Sequence, residues 1–116
     1  MTQRMCAVLA LLLLAGCASD PVPEAQLQVT EAALVQARAV GAGAEQAELG
    51  QAEAGLEAAR QAAGREENRQ ARMLAERAEL DARLAEAQAL TAKNRAQIAE
   101  LRSELRRLRT QLGEQP

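Results

Sequence analysis

Residues 66–112 read EENRQARMLAERAELDARLAEAQALTAKNRAQIAELRSELRRLRTQL. One seam runs through Met73, Arg77, Leu80, Leu84, Ala87, Thr91, Asn94, Ile98, Leu101, Leu105, Leu108 and Leu112 in steps of three or four residues. That is the period of a coiled-coil helix. At about 1.5 Å per residue the 47 residues predict a rod near 70 Å long. Asp81 follows Arg77 by four residues and Arg83 follows Glu79 by four, which adds a few tenths of a kcal/mol per pair on the surface. Asn94 interrupts the apolar seam. Such a residue can fix register and oligomer state, and Thr91 beside it reads equally as a simple polar break.

Two shorter helices are predicted upstream, over residues 24–63. The first runs from about Glu24 to Val40, with Pro23 at its start, where a missing N–H costs nothing, and with Leu27 and Leu34 one heptad apart. Gly41-Ala42-Gly43 ends it. The second runs from about Ala44 to Ala63 along Leu49, Ala52, Leu56, Ala59 and Ala63, with Gly64 as its stop. Gly50 and Gly55 each weaken this helix by roughly 1 kcal/mol relative to Ala. Spacing does not say whether they also permit a close backbone approach. The fold class is therefore all-α: a helical hairpin or three-helix bundle with a long C-terminal coiled-coil helix over residues 65–112 and a short tail at 113–116.

Composition agrees. The 116 residues contain no Phe, Tyr, Trp or His. Aromatics usually supply roughly 150–250 Å² of buried area each, so an ordinary globular core is not expected. Ala, Leu, Glu, Arg and Gln dominate, and these favour helix over strand.

The first residues have another purpose. Arg4 is followed by an unbroken apolar run from Cys6 to Ala15. Ten residues are too few to cross a bilayer, which needs roughly 20, and match the core of a secretory signal. The run leads into Leu14-Ala15-Gly16-Cys17, which resembles the lipobox of bacterial lipoproteins. The resemblance implies cleavage of residues 1–16, a diacylglycerol on the Cys17 sulfur and an acylated new amino terminus. Several acyl chains anchor stably, because each buried CH₂ contributes about 0.8 kcal/mol. Ala18 and Ser19 follow the cysteine, and Asp20 comes two places later than the aspartate that, directly after the cysteine, signals inner-membrane retention in such proteins. The expected location is the periplasmic face of the outer membrane. Residues 17–23 form a short tether kept extended by Pro21 and Pro23. If the two shorter helices form an antiparallel hairpin, the long helix starts near the membrane. The hairpin then covers it only as far as about Leu90, and Thr91–Leu112 projects with its seam bare. A bare apolar seam calls for a partner, either another copy or a helical protein.

Between Ala47 and Ala87 the sequence reads Ala47-Glu48-Leu49, Ala52, Leu56, Ala59, the Gly64 turn, Ala71, Leu74-Ala75-Glu76, Ala78 and Leu84-Ala85. This resembles a domain-of-unknown-function family of Ala-rich helical bacterial lipoproteins, over about Glu24 to Ala89. Members often carry an OmpA-like peptidoglycan-binding module in the same chain. The resemblance implies an all-helical fold and a possible contact with peptidoglycan or an OmpA-like protein, and it transfers no catalytic residue. The organisation is also similar to that of the small trimeric lipoprotein linking outer membrane and cell wall, which ends in a wall-linked lysine. Here the end is Gly113-Glu114-Gln115-Pro116 and the only lysine is Lys93, so covalent wall attachment is not expected.

Catalysis is not expected either. There is no His, the one mature Cys is taken up by lipid, and no phosphate-cradling glycine loop follows a strand. No cofactor or metal is implied. Glu66-Glu67 reads as a helix amino terminus favouring negative charge, since adjacent helical side chains point apart. Net charge is −2, moving to −3 when Arg4 leaves with residues 1–16, which does not suggest nucleic acid. Within that balance, residues 93–109 are basic: Lys93, Arg95, Arg102, Arg106, Arg107 and Arg109 against Glu100 and Glu104 give +4. Residues 24–58 carry six Glu against Arg38. The basic stretch reads as a solvated face complementing the helix dipole, or as a contact for acidic peptidoglycan stems or an acidic partner. Two functional readings follow. One is a structural or adaptor lipoprotein acting through coiled-coil contacts. The other is a periplasmic chaperone-like holdase using apolar inner faces of the bundle.

Overall fold

A computed structural model describes residues 20–113. The described chain forms three helices: α1 (Glu24–Ala39), α2 (Ala47–Gly64) and α3 (Asn68–Gln111). There is no strand among the described residues. α1 and α2 form an antiparallel hairpin joined on its exposed flank by the ion pairs Arg38–Glu53 (2.6 Å) and Arg60–Glu31 (3.0 Å). Exposed pairs of this kind add at most about 1 kcal/mol each. The hairpin lies along the first half of α3, with α1 parallel to it and α2 antiparallel. Ala89 is the last buried residue, and every described residue from Leu90 onward is exposed.

The core is built from small side chains on α3 and larger ones on the hairpin. α3 buries Ala71, Ala75, Ala78, Ala82, Ala85 and Ala89. Against them lie Thr30, Leu34 and Ala37 from α1 and Leu49, Ala52, Leu56, Ala59 and Ala62 from α2. The alanines recur in steps of four and three, as the Met/Leu/Ile seam does, but nearly opposite to it: at 100° per residue the two stripes lie roughly 150–170° apart. The seam through Met73, Leu80 and Leu84 is therefore not the face that α3 turns to the hairpin. Those side chains are 61%, 67% and 48% exposed. Periodicity was shared by both stripes, and side-chain size pointed to the wrong one. Alanine is chosen at the contact because small residues let helix axes approach. A Cβ on Gly55 would stand 2.9 Å from the Ala78 Cβ. Gly50, by contrast, has open space where its Cβ would be. In α2 the seam also ends one residue earlier than spacing suggested, on Ala62, with Ala63 only half-buried.

One polar group sits in this core. Thr30 is fully buried, and its hydroxyl lies 2.9 Å from the Gln26 carbonyl in α1 and 2.9 Å from the Ala75 carbonyl in α3. The bond to Ala75 links α1 to α3 within the core, and at the margins Gln26 Nε2 donates to Glu79 (2.7 Å) and Gln36 Nε2 to Glu86 (3.4 Å).

Helix ends explain the turns. After α1, Gly41 N–H donates to the Arg38 carbonyl and Ala42 N–H to the Ala37 carbonyl, with Gly41 at φ +104°. This is the paired-bond Schellman stop, which places one residue in the left-handed region. After α2 the same two bonds recur, Glu66 N–H to Ala63 and Glu67 N–H to Ala62. Here the left-handed residue is Glu66, at φ +63°, and not a glycine. Gly64 is the last helical residue and lies two places too early to take that role.

Candidate functional site: the outer face of the long helix

The side of α3 turned away from the hairpin carries an apolar stripe in two stretches, Met73–Leu84 with Arg77 within it and Ile98–Leu112. Leu80, Leu84, Ile98, Leu101, Leu105, Leu108 and Leu112 are between 47% and 76% exposed. Leu and Ile side chains gathered in such rows are unusual on a surface that stays in water. At its proximal end Met73 and Leu74 line a shallow open groove with Glu67, Arg69, Gln70 and Arg77. Ala87, Thr91 and Asn94 form the narrow middle of the stripe. The Thr91 hydroxyl turns back to donate to the Ala87 carbonyl (2.7 Å), so it is satisfied within its own helix.

The basic residues do not form one patch. Arg95, Arg102 and Arg109 are spaced by sevens and so line one edge of the stripe, about 10 Å apart. Arg106 falls on the extension of the alanine face, and Lys93 on a third side of the helix. All five are exposed, and none joins an ion pair among the described residues. Arg83, on the other edge of the stripe, pairs with Glu79 one turn before it. Cys17 and the lipobox residues Leu14, Ala15 and Gly16 lie outside the described residues. The chain that follows them is pinned beside the start of α3: Asn68 Nδ2 donates to the Asp20 carbonyl (2.6 Å), and Arg72 lies 3.9 Å from the Asp20 carboxylate.

The two glutamates at 66 and 67 have separate roles. Glu66 is the left-handed turn residue. Glu67 caps the start of α3 in sequence position only, with no side-chain capping bond. Its carboxylate instead accepts two bonds from Arg65, from Nε and Nη2, each 3.1 Å. That hydrogen bonding holds the Glu67 carboxyl below the usual glutamate range and raises the Arg65 guanidinium. Among the described residues no three potential metal ligands gather. No described helix is long and apolar enough to cross a membrane.

Sequence reasoning missed the alanine stripe and its tight contact with Gly55. The signal was present, because Ala71, Ala75, Ala78, Ala82, Ala85 and Ala89 keep the four-three spacing as strictly as the leucines do. The buried alanines of α3 are at most 6% exposed.

These features define a class: an α-helical hairpin clamped on the alanine face of a longer helix whose opposite, leucine-rich face stays open. Residues 25–101 match the domain of unknown function DUF4398, and the chain belongs to that family. A crystal structure of a DUF4398 family protein from Pseudomonas aeruginosa PAO1 is similar to it, at 52% identity with a TM-score of 0.79. The match covers 81% of this chain and 98% of that one. Among curated proteins none matches.

Proposed function

We propose that this protein is a structural or adaptor lipoprotein of the cell envelope. In this reading it is anchored through Cys17 to the periplasmic face of the outer membrane and acts through coiled-coil contacts of α3. The observation that carries the reading is the row of half-exposed or more exposed Leu and Ile side chains along α3, opposite the face the hairpin occupies. The Leu14-Ala15-Gly16-Cys17 motif after a ten-residue apolar run supports the anchor. Contact with a helical partner uses the stripe; contact with peptidoglycan stems or an OmpA-like protein would draw on the arginine edge.

Two experiments test it. Metabolic labelling with radioactive palmitate is expected to mark the wild-type chain and not Cys17→Ala, and equal labelling of both would refute the anchor. Deleting Thr91–Leu112 is expected to abolish in-cell crosslinking to self or partner while palmitate labelling persists. Unchanged crosslinking after that deletion would refute a role for the distal stripe.

A further inference from the structure

We infer that the occupant of this outer face is a second copy of the chain, running antiparallel, paired along the full length of α3. This deepens the structural reading above by naming the partner, and it does not depend on the lipid. Three observations carry it. First, the stripe is not confined to the projecting half. Met73, Leu80 and Leu84 are as open as the distal leucines, so the unpartnered surface extends over both halves of the helix. An antiparallel copy uses all of it, and its own hairpin lies on the far side and does not obstruct.

Second, one register matches the apolar residues of the seam with one another. When partner positions sum to 185, Leu80 meets Leu105, Leu84 meets Leu101, Ala87 meets Ile98 and Met73 meets Leu112. The two polar seam residues then face each other, Thr91 against Asn94, twice by symmetry. Arg77 falls opposite Leu108 in this register, near each end of the seam, where its long stem can lie on the leucine and its guanidinium reach water; a parallel, in-register pair would set Arg77 directly against Arg77.

Third, the flanking charges agree with that register. Antiparallel helices bring each edge of the stripe against the same edge of the partner. Asp81 then falls beside Arg102, and Arg83 beside Glu104, each pair occurring twice and neither being like-charged. A parallel pair would set Glu76 beside Asp81, which repel, and gains Glu104–Arg109. On a larger scale the antiparallel arrangement lays the basic residues 93–109 of one copy along residues 76–92 of the other, where Glu76, Glu79, Asp81 and Glu86 outnumber Arg77 and Arg83, whereas the parallel one stacks the basic halves together. By rise per residue the two Asn68 ends stand roughly 70 Å apart. Copies anchored at both ends therefore lie along a membrane surface and do not stand off it.

The test uses the full chain in two differently tagged forms, one carrying Leu84→Cys and the other Leu101→Cys, treated with a short bismaleimide. The parental chain, with its native cysteines, sets the baseline. Crosslinked mixed pairs are expected when the two forms are co-expressed, with neither form crosslinking to itself above that baseline. Self-crosslinking of Leu84→Cys alone would establish a parallel pair and overturn the proposal, as would no crosslink in the mixture. Palmitate labelling of the same samples reads the anchor separately. A charge exchange provides the second arm. Arg102→Glu is expected to weaken self-association roughly tenfold, and adding Asp81→Arg to restore it. Failure of the double variant to recover would also overturn the antiparallel register.

Discussion

Gly50 and Gly55 lie in the same helix, five residues apart, and replacing each with alanine is expected to stabilise the chain at the first and not at the second. Either substitution gains helix propensity, about 0.8–1.0 kcal/mol for Gly to Ala. At Gly50 nothing lies within 4 Å of the added Cβ, so the full gain is realised. At Gly55 the new methyl stands 2.9 Å from the Ala78 Cβ and 3.6 Å from the Ala78 Cα. Neither atom can rotate away, so α2 and α3 must separate. Overpacking of this kind costs typically 1–3 kcal/mol, which leaves Gly55→Ala between about neutral and 2 kcal/mol destabilised. A 1 kcal/mol change shifts the melting temperature of a domain this size by roughly 4–8 °C. Thermal unfolding followed by circular dichroism at 222 nm should show Gly50→Ala melting several degrees above wild type and Gly55→Ala at or below it. A rise in Gly55→Ala equal to that in Gly50→Ala would show that α2 and α3 do not approach closely at this point, and the alanine-face packing would have to be abandoned.

Other substitutions test separate parts of the structure. Glu66→Gly relieves a left-handed residue at φ +63° and should stabilise the chain by roughly 1 kcal/mol, read as a higher urea midpoint at unchanged slope; no gain would mean that the α2–α3 turn is not left-handed. Thr30→Val removes the hydroxyl bond between α1 and α3 while both carbonyls keep their helical partners, so a loss of about 1 kcal/mol is expected in the same assay, and an unchanged midpoint would count against that bond. The Glu67 carboxyl titrates low because Arg65 hydrogen-bonds its charged form. The stabilisation it brings is therefore present above the ordinary glutamate pKa and lost as pH falls through the depressed one. A carboxyl carbon titration by NMR should show that depression in wild type and its disappearance in Arg65→Ala.

Much of the fold was legible in the sequence because helices advertise their period. The three helices and the extent of hairpin cover to about Leu90 followed from three-and-four spacing, from Gly41-Ala42-Gly43 and from helix length. The identity of the packed face did not. Two stripes of equal period lie on opposite sides of α3, and ranking them by side-chain size favours leucine. The hairpin supplies Leu34, Leu49 and Leu56, and these fit best against alanine, so the large apolar residues of α3 were left outside. That misassignment bears on the candidate site as well. Bareness of the seam was expected only beyond Thr91, whereas Met73, Leu80 and Leu84 are bare too. Glu66 was illegible for a different reason: a glycine two residues earlier offered a ready explanation for the turn, and only the paired carbonyl bonds identify the residue that turns.

The most direct check on the outer face of α3 as a contact surface is site-specific photocrosslinking in living cells, with a photoreactive residue placed in turn at Leu84, Ile98 and Leu105 and, as side-facing controls, at Lys93 and Glu100. Discrete higher-mass products from the first three positions, and none from the two controls, are expected. Products of equal yield from all five positions, or none from any, would contradict it.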